Sequence, residues 1–449
     1  MAAGRSLLAH INVMFVSQVM GYGLAFALRV ILAQALGDVG LGTYSLFYTS
    51  VLVAGGAMSL GLGWANVYYL NKGTYSLSTL LASSALLWAG VVLVAALGTV
   101  VYAWLRGTEA FLAGRAYWLY APAVPVLTGY LLLSSFLQGQ GRFPALMMVA
   151  SAQGLTAVTA AATLWALGRL TVGWAAGAWV ASFALADVLA LMVLSPHKWR
   201  WAGALRMVGT ALQDQVRYGL QSQLGNLAQF LNYRLDHYLV AAFAGRGEVG
   251  QYTVAVGLSE SLWWISSAVV SVLAPRLSGM RREEAADLTL AAGRNTLVVI
   301  GAASLGLALA SPLVIRVMFG EAFMGSVRAV VILLPGTLAN GVAMVVGSYL
   351  FSQGKAILNT YSILTALAVT VALDLALIPP LGMEGAALAS TLAYSSGLAL
   401  SLFWFGLISG RPGWRILAPR RGDLRVYMEI WRGVWRRVLA RTQADEPWS

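Results

Sequence analysis

Six charged side chains stand where charge is expensive. Arg29, Asp187, Arg234, Asp236, Glu260 and Asp374 each fall inside a long apolar run. A charge at the centre of a helix buried in hydrocarbon costs ~2.5–3.5 kcal/mol on insertion scales, so each needs a compensating role. Arginine stays ionised in such a place and offers a fork of donors that matches phosphate oxygens. Arg29 and Arg234 are therefore candidate binders of an anionic group. Asp236, Glu260 and Asp374 are candidate carriers of a coupling ion, H+ or Na+. The bland alternative is that the charges serve one another, with Arg29 pairing to Asp236 or Glu260 and holding helices together. Asp187 reads as a packing residue or one facing a cytoplasmic cavity.

Polar neighbours at helical spacing extend these candidates. Gln18, Tyr22 and Arg29 are four and seven residues apart and share one helix face. Asn226, Gln229, Tyr233 and Asp236 form a second stripe, with Asn232 to one side. Arg234 sits on the shoulder of that stripe, too far around the helix to pair directly with Asp236. Arg29, Arg234, Asp236 and Glu260 lie roughly 6–11 residues from the outer ends of their runs, at ~1.5 Å per residue, and are expected to share one cavity. The amide stripe fits interhelical hydrogen bonding or a glycan headgroup.

The elements that must position these residues follow from composition. The 449-residue chain is 59% hydrophobic and 10% charged, with a mean hydropathy of +0.74. Soluble domains carry about 25% charged residues, so this chain lacks the polarity to cover itself in water. A bilayer core of ~30 Å takes about 20 apolar residues as helix, and backbone groups in hydrocarbon must bond internally. About twelve such runs are expected: 8–35, 40–69, 77–105, 117–137, 143–167, 172–194, 216–244, 249–275, 288–310, 325–352, 356–378 and 383–408.

Several chemistries are excluded. With no cysteine there is no disulfide, iron–sulfur cluster or thiolate zinc site, and the three histidines form no HExxH pair. Gly245-Arg246-Gly247-Glu248-Val249-Gly250 matches a dinucleotide fingerprint, but it joins two apolar helices and reads as a turn. Long extramembrane loops that could house a glycosyltransferase are missing. The chain reads as a non-enzyme without cofactor or metal.

Most of the 29 basic residues fall on one side of the membrane if the N-terminus is cytoplasmic, so both termini are expected there. The net charge of +12 is then a topological signal and calls for no nucleic-acid partner. In the tail, Leu424, Tyr427, Met428, Trp431, Val434, Trp435, Val438 and Leu439 recur at helical spacing opposite Arg425, Arg432, Arg436 and Arg437. That is a basic amphipathic helix suited to an anionic leaflet, with glycan-assembly enzymes as alternative docking partners.

An internal repeat organises the runs. Gly37-x4-Gly42-x-Tyr44 matches Gly245-x4-Gly250-x-Tyr252, and Gly177-Ala178-Trp179-Val180-Ala181-Ser182 matches Gly385-Ala386-Ala387-Leu388-Ala389-Ser390, both at an offset of 208. Gln140-Gly141-Arg142 matches Gln353-Gly354-Lys355 at 213. The expected architecture is all-α and polytopic, with two homologous six-helix bundles. They comprise an N-lobe over 1–194, a cytoplasmic connector over 195–215, a C-lobe over 216–408 and the basic tail over 409–449. Parallel repeats of this kind place a substrate site between the halves near mid-membrane and support alternating access.

These residues carry a family likeness. Arg29-Val30-Ile31-Leu32-Ala33-Gln34-Ala35-Leu36-Gly37 leads to Gly42-Thr43-Tyr44, and Asp236-His237-Tyr238-Leu239-Val240 leads to Val249-Gly250-Gln251-Tyr252. With Leu273-Ala274-Pro275-Arg276-Leu277-Ser278, Phe319-Gly320-Glu321-Ala322-Phe323 and Ile378-Pro379-Pro380-Leu381-Gly382, they resemble the multidrug/oligosaccharidyl-lipid/polysaccharide (MOP) exporter superfamily in its polysaccharide-flippase, Wzx-like branch. The resemblance covers nearly all of residues 5–408. It implies a two-lobed, MATE-like transporter of the prokaryotic plasma (inner) membrane. Its cargo would be a polyprenyl-diphosphate-linked glycan, flipped from the cytoplasmic to the outer leaflet for surface polysaccharide synthesis. Ion-coupled multidrug export is the alternative. The two buried arginines weigh against it, because they repel cationic drugs.

Overall fold

The computed structural model describes residues 2–106, 119–194 and 205–418. The amphipathic helix expected over 424–439, the connector's first half and the side chain of Gln18 lie outside the described residues. Among the described residues the chain is helical throughout. The helices are α1 (Ala2–Met58), α2 (Leu62–Lys72), α3 (Leu77–Arg106), α4 (Tyr120–Gly139), α5 (Phe143–Ala166), α6 (Val172–Leu194), α7 (Val208–Phe243), α8 (Arg246–Glu260), α9 (Trp263–Leu277), α10 (Arg282–Met318), α11 (Ser326–Ser352) and α12 (Ala356–Ser409). Nine described stretches are long and apolar enough to cross a membrane, so this is a multi-pass membrane protein. Leu93, Leu97, Val100 and Trp104 stay exposed along α3, an arrangement that suits hydrocarbon as the surrounding solvent.

Glycine divides the two longest helices. Gly37 (φ 66°) interrupts α1, and Gly382 (φ 58°) interrupts α12. An L side chain rarely adopts such a φ, and each break turns one long helix into two limbs. At the second break, the Glu248 carboxylate accepts the freed Met383 backbone N–H at 2.7 Å, so the interrupted ladder leaves no orphan donor there. The α7 helix is 36 residues long, and its polar side chains keep it out of the apolar set.

The chain folds into two compact units. The first comprises Met1–Gly257, Ser311–Val330 and Leu367–Ser390; the second comprises Leu258–Ala310, Val331–Ala366 and Thr391–Ser449. Within the first unit one core gathers around Phe47, Val51, Leu127 and Trp179, and another around Leu80, Phe136, Leu137 and Ala186. The second unit centres on Val345, Val346, Tyr349 and Phe405. Ile416, from the turn after α12, is driven into that core.

Inside the first unit, positions equated by the repeat offset meet one another. Gly37 and Gly245 both take positive φ. A Cβ on Gly42 would strike the Arg246 carbonyl oxygen, and one on Gly250 would strike the Asp38 carbonyl oxygen. Thr253 then donates to Ser45 at 2.8 Å, across 208 residues. The two glycine contacts exchange equivalent positions of the repeat, and glycine lets the backbones touch. Nearer the other end of α7, Gln215 binds Asn66 and receives Ser83 Oγ at 2.6 Å, while Asn66 donates to Ser135 at 3.0 Å. This satisfied polar network ties α7 to α2, α3 and α4.

Candidate functional site

One cavity of about 190 Å³ opens within the first unit. Helical periodicity assembles its walls: Ala25, Leu28, Arg29 and Leu32 come from the first limb of α1, and Leu41, Tyr44, Ser45 and Tyr48 from the second. Helices α5 and α6 add Gln153, Trp179 and Phe183. Helices α7 and α8 add Arg234, His237 and Thr253. The two arginines expected to face an anion thus line the same space, with a histidine beside them. Among the described residues, no carboxylate lines this cavity. Two guanidiniums lining one space make its wall positive, which favours an anionic occupant.

Local packing sets both guanidiniums. Gly257 on α8 leaves room for Arg29, and a Cβ there would overlap its Nη1 atom. Arg234 donates from Nη1 to the Tyr233 carbonyl at 2.8 Å, which folds the side chain along α7.

A second polar centre lies behind the α7 wall. Asp236 is 1% exposed. Its Oδ1 accepts the His237 backbone N–H and binds the imidazole Nδ1, both at 2.8 Å, and its Oδ2 accepts the Tyr252 hydroxyl at 2.6 Å and Ser390 Oγ at 3.4 Å. Asp374 on α12 is fully buried, and neither carboxylate oxygen has a hydrogen-bond partner among the described residues. One turn earlier on each helix, Thr370 donates to Asn232 Oδ1 at 2.7 Å. Asn232 and Asp236 on α7 therefore face Thr370 and Asp374 on α12 as two i, i+4 pairs. Leaving a buried carboxylate without a partner costs several kcal/mol, which singles out Asp374 as a candidate functional group. His237 joins the two centres, with Nδ1 on Asp236 and its ring in the cavity wall.

The remaining candidates scatter. Tyr22 is exposed and Asn226 binds the Ser222 carbonyl one turn back; neither lines the cavity. Gln229 is half-buried and also absent from the wall. Glu260 ends α8, three residues after Gly257, and does not line the cavity. Asp187 packs by Gly129 and Trp88 on neighbouring helices, with Oδ1 unpartnered among the described residues. Sequence reasoning passed over His237, Tyr44, Tyr48, Gln153 and Trp179. The repeat held one usable signal, since 208 residues also separate Arg29 from His237.

Among solved structures, the fold is similar to an inward-facing multidrug resistance MATE family transporter of the MOP superfamily. That pair shares 14% identity over 86% of this chain and 93% of that one, with a TM-score of 0.70. It is equally similar to the lipid II flippase MurJ in an inward closed conformation, at 13% identity, 98% and 94% coverage and TM-score 0.70. A MOP superfamily transporter from Pyrococcus furiosus, noted for reverse polarity of its binding pocket, follows at 13% identity, 89% and 95% coverage and TM-score 0.58. No curated protein matches the sequence significantly. These likenesses show a MOP-type fold. The family model described as polysaccharide biosynthesis protein matches residues 7–281, more than half of the chain, and the protein belongs to that family.

Proposed function

We propose that this protein flips a polyprenyl-diphosphate-linked oligosaccharide from the cytoplasmic to the outer leaflet of a prokaryotic plasma membrane, by alternating access. The observation that carries the reading is the pair Arg29 and Arg234 lining one cavity. Two guanidinium forks bind the diphosphate and leave the prenyl chain in lipid. The volume is below the ~300–1,000 Å³ of sites that enclose whole drug-sized ligands, so it suits a headgroup fragment. The buried gap between Asp236 and Asp374 carries the coupling ion, H+ or Na+. In this reading α1 and α12 each cross twice, divided at their glycines, and α7 is a further span, which makes twelve crossings; they form two lobes, with both termini cytoplasmic.

Ion-coupled multidrug export is the second reading, and solved structures of similar fold favour it, several being MATE multidrug transporters. Their identities are 14%, low enough that they speak for the fold and leave the cargo to the cavity. Mass spectrometry of a gene deletion separates the two. The flippase reading expects a completed lipid-diphosphate-glycan to accumulate while surface glycan falls. Wild type restores both, and Arg29→Ala or Arg234→Ala does not. Unchanged lipid intermediates and surface glycan, together with new sensitivity to cationic drugs, would overturn it in favour of export.

A further inference from the structure

The cavity has two chemically different walls, and the proposed function uses only one. Opposite in character to the arginines stand Tyr48, Trp179 and Phe183. The Tyr48 ring is 36% exposed. It meets Trp179 edge to face at 5.6 Å, and Trp179 lies 4.7 Å from Phe183 between centroids. Gln153 completes this wall. Its amide orientation follows from its neighbour: Ser182 spends its one hydroxyl hydrogen on the Trp179 carbonyl at 2.7 Å, so its oxygen can only accept from Gln153 Nε2, at 2.9 Å. The Gln153 carbonyl oxygen is thereby turned away from Ser182, as an acceptor without a partner among the described residues. Such an acceptor is wrong for a phosphate and right for a hydroxyl donor.

The second half of the repeat carries no aromatics at the equivalent positions. At the offset of 208 residues, Tyr48, Trp179 and Phe183 correspond to Val256, Ala387 and Thr391, while Ser182 corresponds to Ser390. The same backbone positions are served by small or aliphatic side chains in the second half. There the equivalent serine meets Asp236 instead of an amide.

We infer that Tyr48, Trp179, Phe183 and Gln153 form a sugar subsite, taking the first saccharide of the diphosphate-linked glycan. A pyranose sets its C–H face on the aromatic wall and donates a hydroxyl to Gln153 Oε1, while its anomeric phosphate reaches Arg29 and Arg234. This rests on the flippase reading and adds that the protein discriminates by sugar as well as by charge.

The test measures affinities of the purified full chain in lipid nanodiscs for a short-chain polyprenyl diphosphate and for the same lipid bearing one hexose. The readout is the ratio of the two affinities in wild type, Gln153→Met and Tyr48→Leu. The wild type is expected to prefer the sugar-bearing lipid by about tenfold, equivalent to ~1.4 kcal/mol, and each variant to lose most of that preference. Two single changes on different helices keep the test alive should one fail to fold. A wild type that binds both lipids alike, or variants that keep the preference, overturns the sugar subsite and leaves the diphosphate reading standing. A wild type that binds neither lipid overturns both.

Discussion

Adding a methyl group to Gly257 should mimic the loss of Arg29. The Cβ of Gly257→Ala would fall on the Arg29 guanidinium, and what it meets is the far end of a flexible side chain. The guanidinium yields by leaving its rotamer, at about 0.5–1.5 kcal/mol. Exchanging glycine for alanine in a helix returns roughly 1 kcal/mol, so the melting temperature should hardly move. Affinity should move far more. A displaced guanidinium forfeits a charge-assisted hydrogen bond worth about 1.5–3 kcal/mol, which is roughly 10- to 100-fold in binding. The assay is the thermal-melt shift of the protein in nanodiscs as polyprenyl diphosphate is titrated, because a ligand that binds only the folded state stabilises it in proportion to occupancy. Gly257→Ala and Arg29→Ala should weaken binding alike. Wild-type affinity in Gly257→Ala beside a crippled Arg29→Ala would refute the placement of the guanidinium. A collapse in melting temperature would show that the backbone, and not the side chain, gives way.

Other expectations follow from the same contacts. Added Na+ should raise the melting temperature of the wild type and not of Asp374→Asn; a shift of equal size in the variant places the ion elsewhere, and no shift in either leaves H+ as the coupling ion. Gly42→Ala and Gly250→Ala force a Cβ onto the Arg246 and Asp38 carbonyls, so each should cost about 1–3 kcal/mol or more of stability, and near-neutral melts would contradict the close approach. Tyr75, in the turn between α2 and α3, donates to Asp214 at 2.6 Å; that bond first, and burial second, push its phenol up to about 12. Its folded pKa lies above its unfolded value near 10, so its contribution to stability is complete below pH ~10 and is lost as pH rises through about 12. The tyrosinate absorbance that Tyr75→Phe removes should therefore appear near pH 12, and a midpoint near 10 would show the bond to be absent.

Much of the architecture is a local property, and the sequence by itself determined it. Backbone groups in hydrocarbon bond within their own segment, so an apolar run such as 172–194 specifies a helix wherever its neighbours lie. The expected bounds coincide with α6, and those of 325–352 fall within one residue of α11. The turns at Gly37, Gly141, Gly245 and Gly354 were legible for the same reason, because a left-handed φ is a demand on one residue. Arg29 and Arg234 stood out because a charge among apolar neighbours carries its cost along the chain.

What lines a cavity is decided between segments, by packing. Tyr44, Gln153 and Trp179 look like ordinary interior residues until three helices bring them to one space. The stripe from Asn226 to Asp236 has one helical phase, yet its ends have different fates. Asn226 is exposed, while Asp236 is sealed by Tyr252, Ser390 and His237 from three separate points of the sequence. Helical phase fixes which side chains share a direction. Only tertiary packing fixes what stands opposite, and for a buried charge the group opposite settles whether it binds an ion, holds a neighbour or faces the cargo.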